Sequence, residues 1–183
     1  MKISCRMVCC GLLISLAGIP IYSQTPGSGQ REDSCRKFVQ QFYDWYLPKA
    51  RPAKVRASDL VLKEKKSVLS LELARRLKQD SDAQNKADGE LVGLDFDPFL
   101  NTQDPGFEKC VAGKAACQTA GCRVKVTCNF PGQHADKSEL TPELQFTNGQ
   151  WVFVNFHYTV DGKAYDLLTM LKQLSADRKP KSK

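Results

Sequence analysis

Between residues 35 and 46 the positions Cys35, Phe38, Val39, Phe42 and Tyr46 recur at i, i+3, i+4, i+7 and i+11. That spacing lines one face of a helix. Asp33 or Ser34 is placed to cap it, and Pro48 is expected to end it. Residues 48–66 carry many cations and no apolar period, so an irregular segment is expected there. A second helix is predicted from a Ser70 cap. Leu71, Leu73, Ala74 and Leu77 form its apolar side, and Asp88-Gly89 closes it after Ala87. An acidic and aromatic loop follows, from Leu94 through Asp95, Phe96, Asp97, Pro98, Phe99, Leu100, Asn101, Thr102, Gln103 and Asp104 to Pro105.

The period then changes to two, the spacing of strands. Residues 107–117 and 122–130 flank the turn Gln118-Thr119-Ala120-Gly121, with Cys122, Val124, Val126, Cys128 and Phe130 on one face of the second strand. Leu144 to Phe146 and Trp151 to Tyr158 flank Thr147-Asn148-Gly149-Gln150, and Asn-Gly between alternating apolar residues is a strong hairpin signal. Strict alternation there puts Leu144, Phe146, Trp151 and Phe153 on one face, with Asn155 and His157 further along the same side. Tyr165 to Leu174 reads as a last helix with Leu167, Leu168, Leu171 and Leu174 inward. Helices, then a meander of strands, then a helix make an α+β domain, with helices packed on one side of an antiparallel sheet.

The first residues change the picture of where this domain works. Lys2 and Arg6 precede an apolar run from Met7 to Ile19; Pro20 breaks it, and Ile21-Tyr22-Ser23 fits a cleavage site. These are the three parts of a secretory signal, so residues 1–23 read as a signal peptide cleaved after Ser23. The run is short for a membrane span. Cys9 and Cys10 stand at its start, whereas a lipid anchor needs a cysteine just after it. Membrane contact is therefore expected only through an uncleaved leader. Residues 24–33 are expected to be a flexible linker, 34–175 the domain, and 176–183 a basic disordered tail. The expected location is periplasmic or secreted.

The chain of 183 residues has a formal net charge of +7, with basic clusters at 49–66 and at 178–183. No groove-reading motif accompanies them, and they read as a solvated segment and a frayed end, with no nucleic-acid partner.

Five cysteines remain beyond the leader: Cys35, Cys110, Cys117, Cys122 and Cys128. In an oxidising compartment disulfides are the default for the last four. Antiparallel partners keep a constant sum of residue numbers, and Cys110 with Cys128 differs by one from Cys117 with Cys122. One bulge residue reconciles the two, so nested bridges Cys110–Cys128 and Cys117–Cys122 fit a single hairpin. A zinc site of four thiolates is disfavoured, because the order C-x6-C-x4-C-x5-C lacks the close pairs that structural zinc prefers. Cys35 lies on the apolar stripe of the first helix and reads as a buried free thiol.

Three stretches, in order, resemble a known family: Phe42-Tyr43-Asp44-Trp45-Tyr46-Leu47, the loop at 94–105 with its Asp-Pro-Phe-Leu-Asn-Thr-Gln-Asp block, and Gly149-Gln150-Trp151-Val152-Phe153-Val154-Asn155-Phe156-His157-Tyr158. They look like the DUF3828 family of bacterial envelope proteins, whose domain is similar to the NTF2-like cone: helices cradled in a strongly curved antiparallel sheet. The resemblance covers roughly residues 34–175. It implies fold and export, and no particular activity. The clustered hairpin cysteines depart from the family pattern.

No Gly-rich phosphate loop, His-Glu-x-x-His or Gly-x-Ser-x-Gly occurs in the sequence. No catalytic residue, metal or cofactor is assigned. Asp95, Asp97, Asn101, Gln103 and Asp104 offer oxygen ligands for a hard cation. Their spacing is not that of an EF-hand, Pro98 interrupts it, and turn capping is the favoured role. In an open cone, Asp97, Gln103, Asp104, Trp151 and His157 are the candidate ligand-binding residues. The expected function is a non-catalytic binding or interaction domain of the cell envelope, taking a small ligand or an envelope protein. A second hypothesis, of a different class, is a pure interaction or protective protein: a homodimer through the sheet, or an inhibitor or immunity-type role. A small-molecule enzyme of the isomerase or dehydratase kind ranks behind them; it needs Asp97 or Asp104 to approach His157. A cone filled by its own Phe, Trp and Leu side chains counts against both a ligand and an enzyme inside it.

Overall fold

The computed structural model describes residues 28–51, 55–87, 89–103, 106–130 and 137–178. The proposed leader with its cleavage site, together with Asp104 and the end of the tail, lies outside the described residues. The architecture is α+β, with a five-stranded antiparallel sheet and four helices.

Helix α1 (Ser28–Ala50) buries Cys35, Val39, Phe42, Tyr43, Tyr46, Leu47 and Ala50, a continuous stripe at helical spacing. It differs from the sequence expectation at both ends. Residues 28–33, expected to be linker, are already helical. A tertiary contact accounts for this: the Trp151 indole donates to the Ser34 hydroxyl at 3.1 Å, and the Arg31 guanidinium lies 5.7 Å from the ring centre. At the other end the helix runs past Pro48. Proline removes one N–H bond, but Arg51 N–H reaches the Leu47 carbonyl and the Arg51 side chain donates to the Phe107 carbonyl at 2.7 Å.

The basic segment also holds regular structure, namely α2 (Ala57–Glu64) and a 3₁₀ turn at Lys66–Val68. Helix α3 (Leu71–Lys86) is capped by Ser70, whose hydroxyl accepts from Leu73 N–H at 3.2 Å. It buries Leu73, Ala74, Leu77, Asp80 and Ser81, while Leu71 points into solvent. Helix α4 (Leu167–Asp177) is capped by Asp166 and buries Leu167 and Leu171. The expected tail from 176 therefore begins inside a helix, and Arg178 is paired with Asp80.

The strands are β1 (Lys109–Gln118), β2 (Gly121–Asn129), β3 (Lys137–Thr147), β4 (Gln150–Val160) and β5 (Lys163–Asp166), paired in chain order. Cys110 faces Cys128 and Cys117 faces Cys122, and both pairs are bonded. The bulge needed between them lies at Gly113 and Lys114, between the pairs formed by Ala112 and Ala115. Cys35 is buried and free. Closed disulfides fit an oxidising, extracytoplasmic setting. The β3–β4 turn takes Asn148 and Gly149 at φ +50° and +78°, as a tight hairpin turn requires.

Helix α1 packs on the inner face of the sheet, with the Phe42 ring 4.9 Å from that of Phe153. It also reaches the free edge of β1. The Gln40 amide donates to the Cys110 carbonyl at 3.1 Å and accepts from Ala112 N–H at 2.8 Å. No described helix is long and apolar enough to cross a membrane.

Candidate functional site

A second bulge decides which face each β4 residue occupies. Glu143 pairs with Asn155 and Leu144 pairs with Phe153, so Val154 is the extra residue. One inserted residue inverts the alternation beyond it. Phe156 and Tyr158 are thereby buried on the inner side with Phe153. His157, expected on the Trp151 and Phe153 side, lies on the outer face. Its Nε2 is 2.6 Å from Glu143 Oε2, and Arg123 reaches the same oxygen at 3.1 Å. Partial burial opposes ionisation of Glu143, but the His157 and Arg123 hydrogen bonds and the Arg123 charge outweigh it and hold the carboxyl below its usual range.

The acidic loop folds inward from the helical side. Asp97 N–H donates to the Thr102 carbonyl at 2.7 Å, and Asn101 N–H returns to the Asp97 carbonyl at 2.8 Å, with Asn101 at φ +54°. Asp97 Oδ1 accepts from the N–H groups of Phe99 and Leu100 at 2.8 and 3.2 Å. This is the turn-capping role expected of an Asx residue before proline. The loop carries Phe99 and Leu100 into the interior, where both are fully buried. The Phe99 ring meets Phe42, Tyr46 and Phe156 at centroid distances of 5.7, 5.5 and 5.3 Å.

Three tyrosine hydroxyls tie this plug down. Tyr43 donates to the Phe99 carbonyl at 2.9 Å, Tyr158 to the Pro98 carbonyl at 2.7 Å, and Tyr46 to Asp97 Oδ2 at 2.6 Å. Burial pushes all three phenols upward; the Asp97 charge adds to this at Tyr43 and Tyr46, and Tyr43 and then Asp97 add to it at Tyr158, so they remain donors. Asp97 itself is pushed up to about 6 by burial; its hydrogen bonds from Tyr46, Phe99 and Leu100 offset only part of that.

On the solvent side of Asp97 is a cleft of about 430 Å³. The end of α1 supplies Tyr46 and Ala50; Val55, Arg56 and the start of α2 (Ala57, Ser58 and Leu60) form one wall, and Asp80 and Gln84 of α3 another. Leu91, Leu94, Phe96 and Pro98 close it from the loop. Its outer loop is held by α3. Gln84 accepts from the N–H groups of Val92 and Gly93 and donates to the Glu90 carbonyl. Asp80 accepts from Leu94 N–H at 3.0 Å and pairs with Arg178. A Cβ on Gly93 would lie 2.8 Å from Asp80 Oδ2, so glycine is needed for that approach. Val55 and Leu91 stay exposed at the mouth, 57% and 66%.

The five candidate ligand residues are not brought together. Asp97 is at the floor of the cleft, and Gln103 is at its rim, bonded to Asp95 at 3.3 Å. Asp104 lies outside the described residues. Trp151 packs at Ser34, twelve positions before Tyr46 and thus roughly 18 Å along the α1 axis from it. His157 borders a separate, broad groove of about 1150 Å³ at the end of the sheet. Sequence reasoning missed Tyr46, Arg56, Gln84, Val55 and Leu91. Tyr46 alone carried a signal, since a phenol on an otherwise apolar helix face needs a partner for its hydroxyl. Among the described residues no group of three or more His, Cys, Asp or Glu side chains is placed to hold a metal ion.

The chain matches no protein-family model, and comparison with curated proteins and with solved structures finds no significant match.

Proposed function

We propose that this chain is an exported, non-catalytic interaction domain of the cell envelope, built as an NTF2-like cone of the DUF3828 kind. It meets its ligand or partner at the surface cleft above Asp97 and not inside the cone. One observation carries the reading. The space beneath the sheet is occupied by the protein's own Phe99 and Leu100, fixed by Tyr43, Tyr46 and Tyr158. Close-packed interiors of this kind leave no room for a substrate. The cleft, in contrast, combines exposed apolar residues with a few convergent polar groups, the composition typical of ligand sites. An acid–base dyad loses its support because His157 pairs with Glu143 on the outer face, whereas Asp97 is bound to Tyr46 on the inner side.

A screen of small aromatic and aliphatic fragments, read by amide and methyl chemical shifts on the purified protein, tests this. Shifts are expected at Val55, Leu91 and Phe96. Fragments that perturb Phe153 and Phe156 instead would place the site inside the cone and overturn the reading.

A further inference from the structure

The cleft holds a carboxylate without a counter-cation. Three acids line it, Asp80, Asp95 and Asp97. Asp95 is exposed and accepts from Gln103, whereas Asp97 is more buried, and among the described residues no Lys, Arg or His forms an ion pair with it. Arg56 lines the same cleft, but its Nη2 pairs with Asp59 at 3.0 Å and donates to Asn85 at 2.5 Å, while its buried Nε has no partner among the described residues; none of its nitrogens is paired with Asp97. Asp80 is matched by Arg178. The titratable groups that face Asp97 are Tyr43 and Tyr46 from α1 and Tyr158 from β4, all phenols held neutral.

The hydrogen-bond geometry leaves one position open. A carboxylate has about four lone-pair sites, two on each oxygen. Oδ1 uses both on Phe99 and Leu100 N–H. Oδ2 uses one on the Tyr46 hydroxyl. The remaining acceptor position belongs to Oδ2, on a side chain that lines the cleft. An uncompensated charge of this kind is strongly attracted to a cation that brings its own hydrogen-bond donor. The mouth selects what carries that cation, because Val55 and Leu91 present apolar surface above it.

We infer that the cleft binds a primary ammonium group on an apolar stem, with the ammonium at Asp97 Oδ2 and the stem between Val55, Leu91 and Phe96. This rests on the cleft reading above and adds the chemistry of the ligand. Free alkylamines and lysine side chains share that chemistry. Binding couples to protonation: the ammonium needs the ionised carboxylate, and Asp97 ionises at about 6 in the empty protein.

Calorimetric titration of the purified protein with hexylammonium, 1-hexanol and hexanoate tests the inference, with Nα-acetyl-lysine amide as a further arm. Hexylammonium is expected to bind at least roughly tenfold more tightly than 1-hexanol at neutral pH, and hexanoate not at all. The affinity should fall roughly tenfold from pH 7.5 to pH 5, as Asp97 takes up a proton. Each methylene added from butyl to hexyl should tighten binding, by roughly fourfold at full burial. Asp97→Asn keeps an acceptor for the two N–H groups and should abolish the preference for ammonium over alcohol. Leu91→Ala should weaken the gain per methylene and leave that preference intact. Acetyl-lysine amide binding as well as hexylammonium assigns the site to side chains of a protein partner; hexylammonium binding alone assigns it to free amines. Equal affinity for hexylammonium and 1-hexanol, or a preference that survives Asp97→Asn, would overturn the inference. If fragments map to the cleft under that result, the ligand chemistry fails and the cleft reading stands. If nothing maps there, both fail.

Discussion

Asp97 and Glu143 lie on opposite sides of the same sheet, and each accepts several hydrogen bonds. Asp97 accepts three, from Tyr46, Phe99 and Leu100; Glu143 accepts from His157 and Arg123. Yet Asp97 is raised to about 6 and Glu143 is lowered. The donors of Asp97 are neutral and the group is buried among aromatic rings. Those of Glu143 include a guanidinium, and its side chain is 30% exposed. At Asp97 three hydrogen bonds offset only part of a nearly complete burial; at Glu143, only partly buried, the hydrogen bonds from His157 and Arg123 together with the Arg123 charge outweigh it. The inner side of the sheet is therefore organised by packing, with one unbalanced charge, and the outer side by paired charges in solvent.

The largest effect should come from the packed side. Phe99→Ala removes the plug and should destabilise the protein by about 3–5 kcal/mol, measured by urea unfolding. A loss under about 1 kcal/mol would mean that the interior is not close-packed and that the contrast between the two sides is wrong. Next come the bridges, which also face inward. Replacing Cys110 and Cys128 together by alanine should cost about 3 kcal/mol, and replacing Cys117 and Cys122 about 2 kcal/mol, because the longer closed loop restricts the unfolded chain more. Reversal of that order would show that native packing, not chain entropy, sets the difference.

The third test separates the two carboxylates directly. Asp97 binds its proton more tightly in the folded state, so its neutral form favours folding. Relative to Asp97→Asn, the wild type should lose stability as pH rises from about 4 to about 6, by no more than about 3 kcal/mol, and then level off. Glu143 behaves in the opposite sense. Relative to Glu143→Gln, the wild type should lose stability as pH falls below the usual glutamate range. That effect is the smallest, under about 1 kcal/mol, because the pair is partly exposed and screened. Two slopes of the same sign would break the comparison.

Much of the sheet was legible in the sequence because its signals are local. Cys110, Cys117, Cys122 and Cys128 imposed both the register of β1 with β2 and the bulge that register needs. Asn148-Gly149 marked the next turn. The Val154 bulge had no such marker, since no covalent pair constrains β3 against β4, and strict alternation therefore misplaced His157. The ends of α1 were misread for a related reason. Residues 28–33 are polar and are held by Trp151, more than a hundred positions away. The turn role of Asp97 was readable from Asp-Pro, but the cleft was not. Its walls come from α1, α2, α3 and two separate loops, and only the folded chain brings Val55 and Leu91 to the same mouth.

The contact of Gln40 with β1 bears on how this molecule behaves among its own copies. A sheet ends in a row of unmet backbone groups, which is where foreign strands attach. Here the Gln40 amide hydrogen-bonds to Cys110 and Ala112 much as one residue of a sixth strand would. The bulge at Gly113 and Lys114 then breaks the line just beyond, with the lysine exposed. Edge-to-edge growth at this strand thus meets two barriers, a helix side chain laid across the edge at Cys110 and Ala112 and a bulge with an exposed lysine beside it, and detaching α1 removes only the first.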